Sequence, residues 1–137
     1  MEDLEQRVRR IYLQRMDDYS WCEDFPANEG AGALPIFVHQ FQIEKDPKRR
    51  ARLISVIWRF RTAAALATLA IALREDVDEV WKEALDGFVA IGGESSIRFL
   101  REFRETTGVS ANDIEKRAWI DEAIEQIREV IQTGRPI

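Results

Sequence analysis

Few side chains in this sequence have the type and spacing that chemistry requires. Cys22 is the only cysteine and His39 the only histidine. A nucleophilic thiol needs a base beside it, but neither residue sits in a nucleophile elbow or a comparable motif. They read as a loop thiol and a helix imidazole. One Cys and one His cannot complete a zinc site, and no His-Glu-x-x-His occurs. Gly92-Gly93 and the pair Gly30 and Gly32 lack the glycine spacing and following Lys-Ser/Thr that cradle a phosphate. They read as a helix end and as turn breakers. Glu75, Asp76, Asp78 and Glu79 could do acid–base work, yet they crowd a helix junction, where carboxylates favour the positive end of the next helix. The residues thus predict a protein that is not an enzyme, with no metal and no cofactor.

The charge balance bears on partners. There are 20 Lys and Arg against 25 Asp and Glu, a net charge of −5. Phosphate contacts need clustered cations, so nucleic acid is disfavoured. The charges are segregated, however. Lys45, Lys48, Arg49, Arg50, Arg52, Arg59 and Arg61 form a basic stretch, whereas residues 17–24 and 75–86 are acid-rich. Such separation suits steering of a charged partner. No stretch reads as a signal peptide, and the most apolar run, Ala63 to Leu73, falls far short of the roughly 20 residues that span a bilayer. With a single cysteine, a reducing, cytoplasmic setting is the expectation, without membrane association.

These residues must be positioned by helices. The first is expected over residues 1–16, where Leu4, Val8, Ile11 and Tyr12 share one face. An irregular acidic-aromatic segment, 17–32, follows. There Tyr19, Trp21 and Phe25 stand among four acids, a candidate anchor for a basic partner, since aromatics are frequent binding hot spots. Leu34, Phe37, Val38 and Phe41 then form one apolar face of a helix to about Glu44. Asp46-Pro47 restarts the chain into a helix carrying Leu53, Ile54, Ile57 and Trp58 to about Arg61. Further helices are expected over Ala63 to Arg74, from an Asp78 N-cap to Gly92-Gly93, from a Ser95 or Ser96 cap through Phe103, and over Asp113 to Gln132. No segment alternates with period 2, so no sheet is expected.

The helices repeat. Leu53-Ile54 with Ile57-Trp58 returns as Ala84-Leu85 with Phe88-Val89 at an offset of about 31 residues, and partly as Ala123-Ile124 with Ile127. Leu34 and Phe37 match Leu66 and Leu69, which match Ile97 and Leu100, at offsets of about 32 and about 31. One helical hairpin per unit, over residues 33–61, 63–93 and 95–132, marks an α-solenoid within a single domain 1–137. The stretch from Asp78 to Gly93 resembles the second helix of a HEAT repeat of the kind named after phycocyanobilin lyases. That family's acidic start, Val-Arg, Ala, Leu and terminal Gly are met by Asp78, Val80, Ala84, Leu85 and Gly92. Trp81 replaces the Arg, while Arg50 holds the equivalent place one unit earlier. The resemblance spans roughly residues 32–132. It implies an all-α, right-handed HEAT-like solenoid of about three antiparallel helix pairs, preceded by an N-terminal helix.

In such a solenoid the second helices line the inner surface. That would present Arg52, Ser55 and Arg59, then Lys82 and Asp86, then Glu122 and Glu125. A surface graded from basic to acidic suits a protein ligand, so the expected function is a protein–protein interaction module. A looser likeness, in Val80 to Gly87 followed by Ile91-Gly92-Gly93, is to small immunity proteins of bacterial polymorphic toxin systems, which implies occlusion of a cognate toxin. Two alternatives come with the architecture. One is similarity to HEAT-like alkylpurine DNA glycosylases, with Trp58, Arg59 and residues 45–52 on DNA and Asp86 assisting base excision. The other is a bilin lyase-like scaffold, which would need a bound pigment.

Overall fold

A computed structural model describes residue 6, residues 34–106 and residues 111–134. Of the expected N-terminal helix only Gln6 is described, and the segment bearing Tyr19, Trp21 and Phe25 lies outside the described residues. Six α-helices and one 3-10 turn make up the described chain, which contains no strand. The all-α expectation therefore stands.

α1 (Leu34–Ile43) buries Leu34, Phe37 and Phe41, as its apolar spacing predicts. α2 (Pro47–Ile57) opens on a conventional cap: the Asp46 side chain accepts from the Arg49 amide at 3.0 Å, and Pro47 occupies a first-turn position that needs no donor. Leu53 through Ile57 are all buried, so the end of α2 is enclosed on more than one side. The helix does not run on to Arg61. It tightens into a 3-10 turn over Trp58–Phe60, and Arg61 takes the left-handed conformation (φ 55°) that turns the chain. Thr62 then caps α3 (Ala63–Leu73) by accepting from the Ala65 amide.

α4 (Asp78–Ile91) begins one residue earlier than its sequence suggests. The capping residue is Val77, not Asp78, and its carbonyl accepts from Val80 and Trp81. Asp78 is already helical, and its carboxylate accepts from the indole Nε1 of Trp81 at 3.0 Å. A wholly buried Trp81 needs that acceptor, and Asp78 supplies it. Asp78 and Glu79 still lie in the first turn, where the helix dipole favours acids. At the far end Gly92 and Gly93 both have positive φ, 68° and 78°, a region open to glycine. They turn the chain so sharply that α5 (Gly93–Thr106) starts at once. Ser95 and Ser96 accordingly sit inside its first turn rather than capping it. α6 (Ala111–Thr133) starts two residues before the expected Asp113.

Sequential helices pack as the pairs α1–α2, α3–α4 and α5–α6, each joined by a short connection. Between pairs, α2 packs on α4, α4 on α6, and α3 on α5. α4 is the hub of this arrangement and touches α2, α3, α5, α6 and the 3-10 turn. Its burial of Val80, Trp81, Ala84, Leu85, Gly87 and Phe88 follows from those neighbours. The α2–α4 approach is tight at Gly87, where a Cβ would stand 2.9 Å from the Trp58 Cβ and 3.0 Å from Leu69 Cδ1.

The ends of α1 and α3 are covered by cations from different helices. In the first pair, Arg50 closes the end of α1. Its Nη1 donates to the carbonyls of Phe41 and Glu44, both at 2.7 Å, its Nη2 pairs with Glu75 at 2.9 Å, and its guanidinium lies 4.1 Å from the Phe41 ring centre. The end of α3 has the same need, but Trp81 stands where Arg50 stood. The cation comes from α6 instead. Lys116, 2% exposed, donates to the carbonyls of Leu73 at 2.9 Å and Glu75 at 2.8 Å, and its ammonium lies 5.3 Å from the Trp81 ring centre. Trp81 thus provides the aromatic face and the third pair provides the charge. Lys116→Met keeps the apolar stem but leaves two carbonyls without these donors. The loss of charge-assisted bonds outweighs relief of ammonium desolvation, so stability should fall by about 2 kcal/mol. Urea unfolding of the purified variant checks this, and an unchanged midpoint would contradict it.

Candidate functional site

The described side chains singled out by the sequence do not gather in one cluster. Arg52 is half-buried on α2. Arg59 lies in the 3-10 turn rather than on the helix, with its guanidinium 4.5 Å from the Trp58 ring centre. Lys82 turns toward α6: its Nζ is 4.7 Å from the Trp119 ring centre, 5.4 Å from that of Trp81 and 4.0 Å from Asp78 Oδ2. Asp86 is exposed and opens into the groove between α4 and α6. The structure brings Arg59 close to Asp86 only through an intermediary, Glu83.

Glu83 is the residue the sequence reading passed over. It sits where α4 meets the end of α2, beside Ser55, Trp58 and Arg59. Burial pushes its carboxyl above the ordinary value, and the negative charge of Asp86, three residues on, pushes the same way. The Trp58 N–H, the Ser55 hydroxyl and the Arg59 charge oppose that shift without cancelling it. Trp58 Nε1 and Arg59 Nε are both shut off from solvent, yet neither makes a well-formed hydrogen bond. Asp86 is also raised, by burial. Its side chain reaches water, but the neighbouring protein removes enough solvent from one side to disfavour its charge. The visible sequence signal for this pair was the i, i+3 spacing of two acids on one helix face.

Beyond Asp86 lies an open groove of about 600 Å³, lined by Asp86, Val89, Ala90 and Gly92 from α4 and its end and by Gln126, Ile127 and Val130 from α6. A smaller depression of about 120 Å³ continues it, sharing Asp86, Val89 and Gln126 and adding Leu85, Trp119 and Glu122. Trp119 forms its lip. The ring meets Trp81 edge-on at 5.8 Å, and the residue is 41% exposed. Arg61 marks the other end, where its Nη1 donates to the Ala90 carbonyl at 2.9 Å. Trp119 escaped sequence analysis because it adjoins the buried Ile120 without a motif of its own. Only the packing of Trp81 shows which side of the ring remains open.

Other candidates fall elsewhere. His39 is exposed on α1, and Cys22 lies outside the described residues. Glu75 is taken up by Arg50. Among the described residues, no group of three or more His, Cys, Asp and Glu is placed to hold a metal ion, and no helix is long and apolar enough to cross a membrane. No family model matches the chain, and no curated protein or solved structure matches it.

The Glu83 environment makes a pH prediction. A carboxyl whose folded pKa is raised contributes stability below its ordinary range and loses it as pH rises through the raised value. Glu83→Gln removes this loss. The variant should be more stable than the parent at pH 7, with the gap closing as the pH approaches 4. Denaturant melts across that range check the sign, and a gap that widens on acidification would refute it.

Proposed function

We propose that this chain is a protein-binding module of the HEAT-like solenoid type, and that its binding surface is the face formed by α2, α4 and α6. The carrying observation is the groove between α4 and α6, which combines an apolar floor with an exposed Trp119 at its lip. Exposed aromatics beside a packed apolar surface are the usual anchors of protein interfaces. Support for the solenoid comes from the contacts. The second helices of the pairs touch in the order α2, α4, α6, and the first helices α3 and α5 touch each other. The exchange of roles between Arg50 and Lys116 also fits a repeated unit with one shared requirement at each first-helix end.

The surface chemistry favours protein over nucleic acid. Glu83, Asp86 and Glu122 occupy its centre and would repel phosphates. In its most specific form the bound protein is a toxin that this chain neutralises, a reading that rests on the sequence likeness to small immunity proteins.

A photo-crosslinking amino acid placed at Glu122, within the groove, and at Arg98, exposed on α5, tests the reading in the native cell. A discrete adduct with one protein should form from position 122 and not from 98. Absence of an adduct at 122, or equal adducts at both, would refute it.

A further inference from the structure

We infer that the groove between α4 and α6 docks a basic, amphipathic helical segment of a partner protein; this rests on the protein-binding reading above and adds the chemistry of what is bound. Shape is the first argument. The two depressions share Asp86, Val89 and Gln126, so they form one elongated channel rather than two cups. From Trp119 to Val130 along α6 the channel runs about 16 Å at 1.5 Å per residue, the length of three helical turns.

The floor is the second argument. Leu85 and Val89 on α4, and Ala123, Ile127 and Val130 on α6, recur at spacings of three and four residues; Leu85, Ala123 and Ile127 form the buried base of the furrow, and half-buried Val89 and Val130 present its apolar surface. Two such rows, side by side, form the furrow into which the apolar ridge of a third helix fits. Gln126 on α6 lines both depressions and offers a polar contact.

Charge fixes the sign of the partner. Asp86 and Glu122 flank the channel, and Glu83 stands behind Asp86. The nearby cations are engaged at the edges. Arg61 caps the end of α4 through the Ala90 carbonyl, Arg59 lies over Trp58, and Lys82 is drawn to Trp119 and Asp78. The middle of the channel therefore presents carboxylates above an apolar floor, complementary to a helix with Lys or Arg beside its apolar stripe. Anionic lipid and nucleic acid carry the wrong sign for this surface.

A display library of random peptides about 16 residues long, long enough to fill the channel as a helix, tests the inference. It is panned on the wild-type protein and on the Asp86→Lys/Glu122→Lys double variant. Both positions are exposed, and circular dichroism confirms that the variant keeps its helix content. Enriched sequences should carry Lys or Arg next to apolar residues at helical spacing. They should bind the variant at least about tenfold more weakly and lose affinity as salt rises. Acidic or period-2 sequences, equal binding to the variant, or no enrichment would each overturn the inference. So would binding of duplex DNA or phosphatidylglycerol vesicles that a Trp119→Ala variant abolishes. If peptides fail while crosslinks still form at position 122, the protein-binding reading survives and only the helical, basic ligand is lost. If both fail, both fall.

Discussion

The structure turns on the approach of α2 to α4 at Gly87. Residue 87 carries no side chain there, because the Trp58 side chain, in the 3-10 turn that ends α2, and Leu69 Cδ1 of α3 fill the space that a Cβ would need. That contact brings the end of α2 against the middle of α4. One turn earlier on α4, Glu83 is pressed among Ser55, Trp58 and Arg59, while Asp86 is left on the groove side. The 3-10 turn, the left-handed Arg61 and its bond to Ala90 follow the same junction round. A larger residue at 87 would separate the helices and disperse the acid pair.

A second constraint acts at the opposite ends of the helices. Every helix leaves carbonyls unpaired at its C-terminus, and here a cation over an aromatic ring covers two such ends. Arg50 does so for α1 from within its own pair, over Phe41. Lys116 does so for α3 from the following pair, over Trp81 and also 5.6 Å from the Phe103 ring centre. The consequence is structural coupling: Arg50 also reaches Glu75, whose carbonyl Lys116 holds. Three pairs therefore meet at one connection, between α3 and α4. The groove is framed by α4 and α6, so their relative placement depends on this tie.

Much of this was legible in the residues. The apolar spacing of α1, the Asp46-Pro47 start of α2 and the double-glycine end of α4 each follow from local chemistry, and all three appear as read. What failed was decided by burial and backbone geometry that residue type alone does not display. Asp78 looked like a cap because nothing nearby shows that Trp81, once buried, takes its carboxylate. Ser95 and Ser96 looked like caps because the sharpness of the Gly92-Gly93 turn is a backbone property. Among the site residues, Asp86 was identifiable as a polar position on a second helix, whereas Arg59, read the same way, lies in the 3-10 turn beyond its helix. Glu83 and Trp119 were not identifiable, since their roles come from α2–α4 and α4–α6 packing. Tyr19, Trp21 and Phe25 lie outside the described residues.

The central claim is that the α4–α6 groove is where a partner protein is held. Amide hydrogen exchange, measured on the free protein and on the complex captured from the native cell, tests it most directly. Slowed exchange on binding should be confined to the groove-lining stretches, residues 85–93 and 119–130. Slowing confined to α3 and α5, or none in any helix, would contradict it.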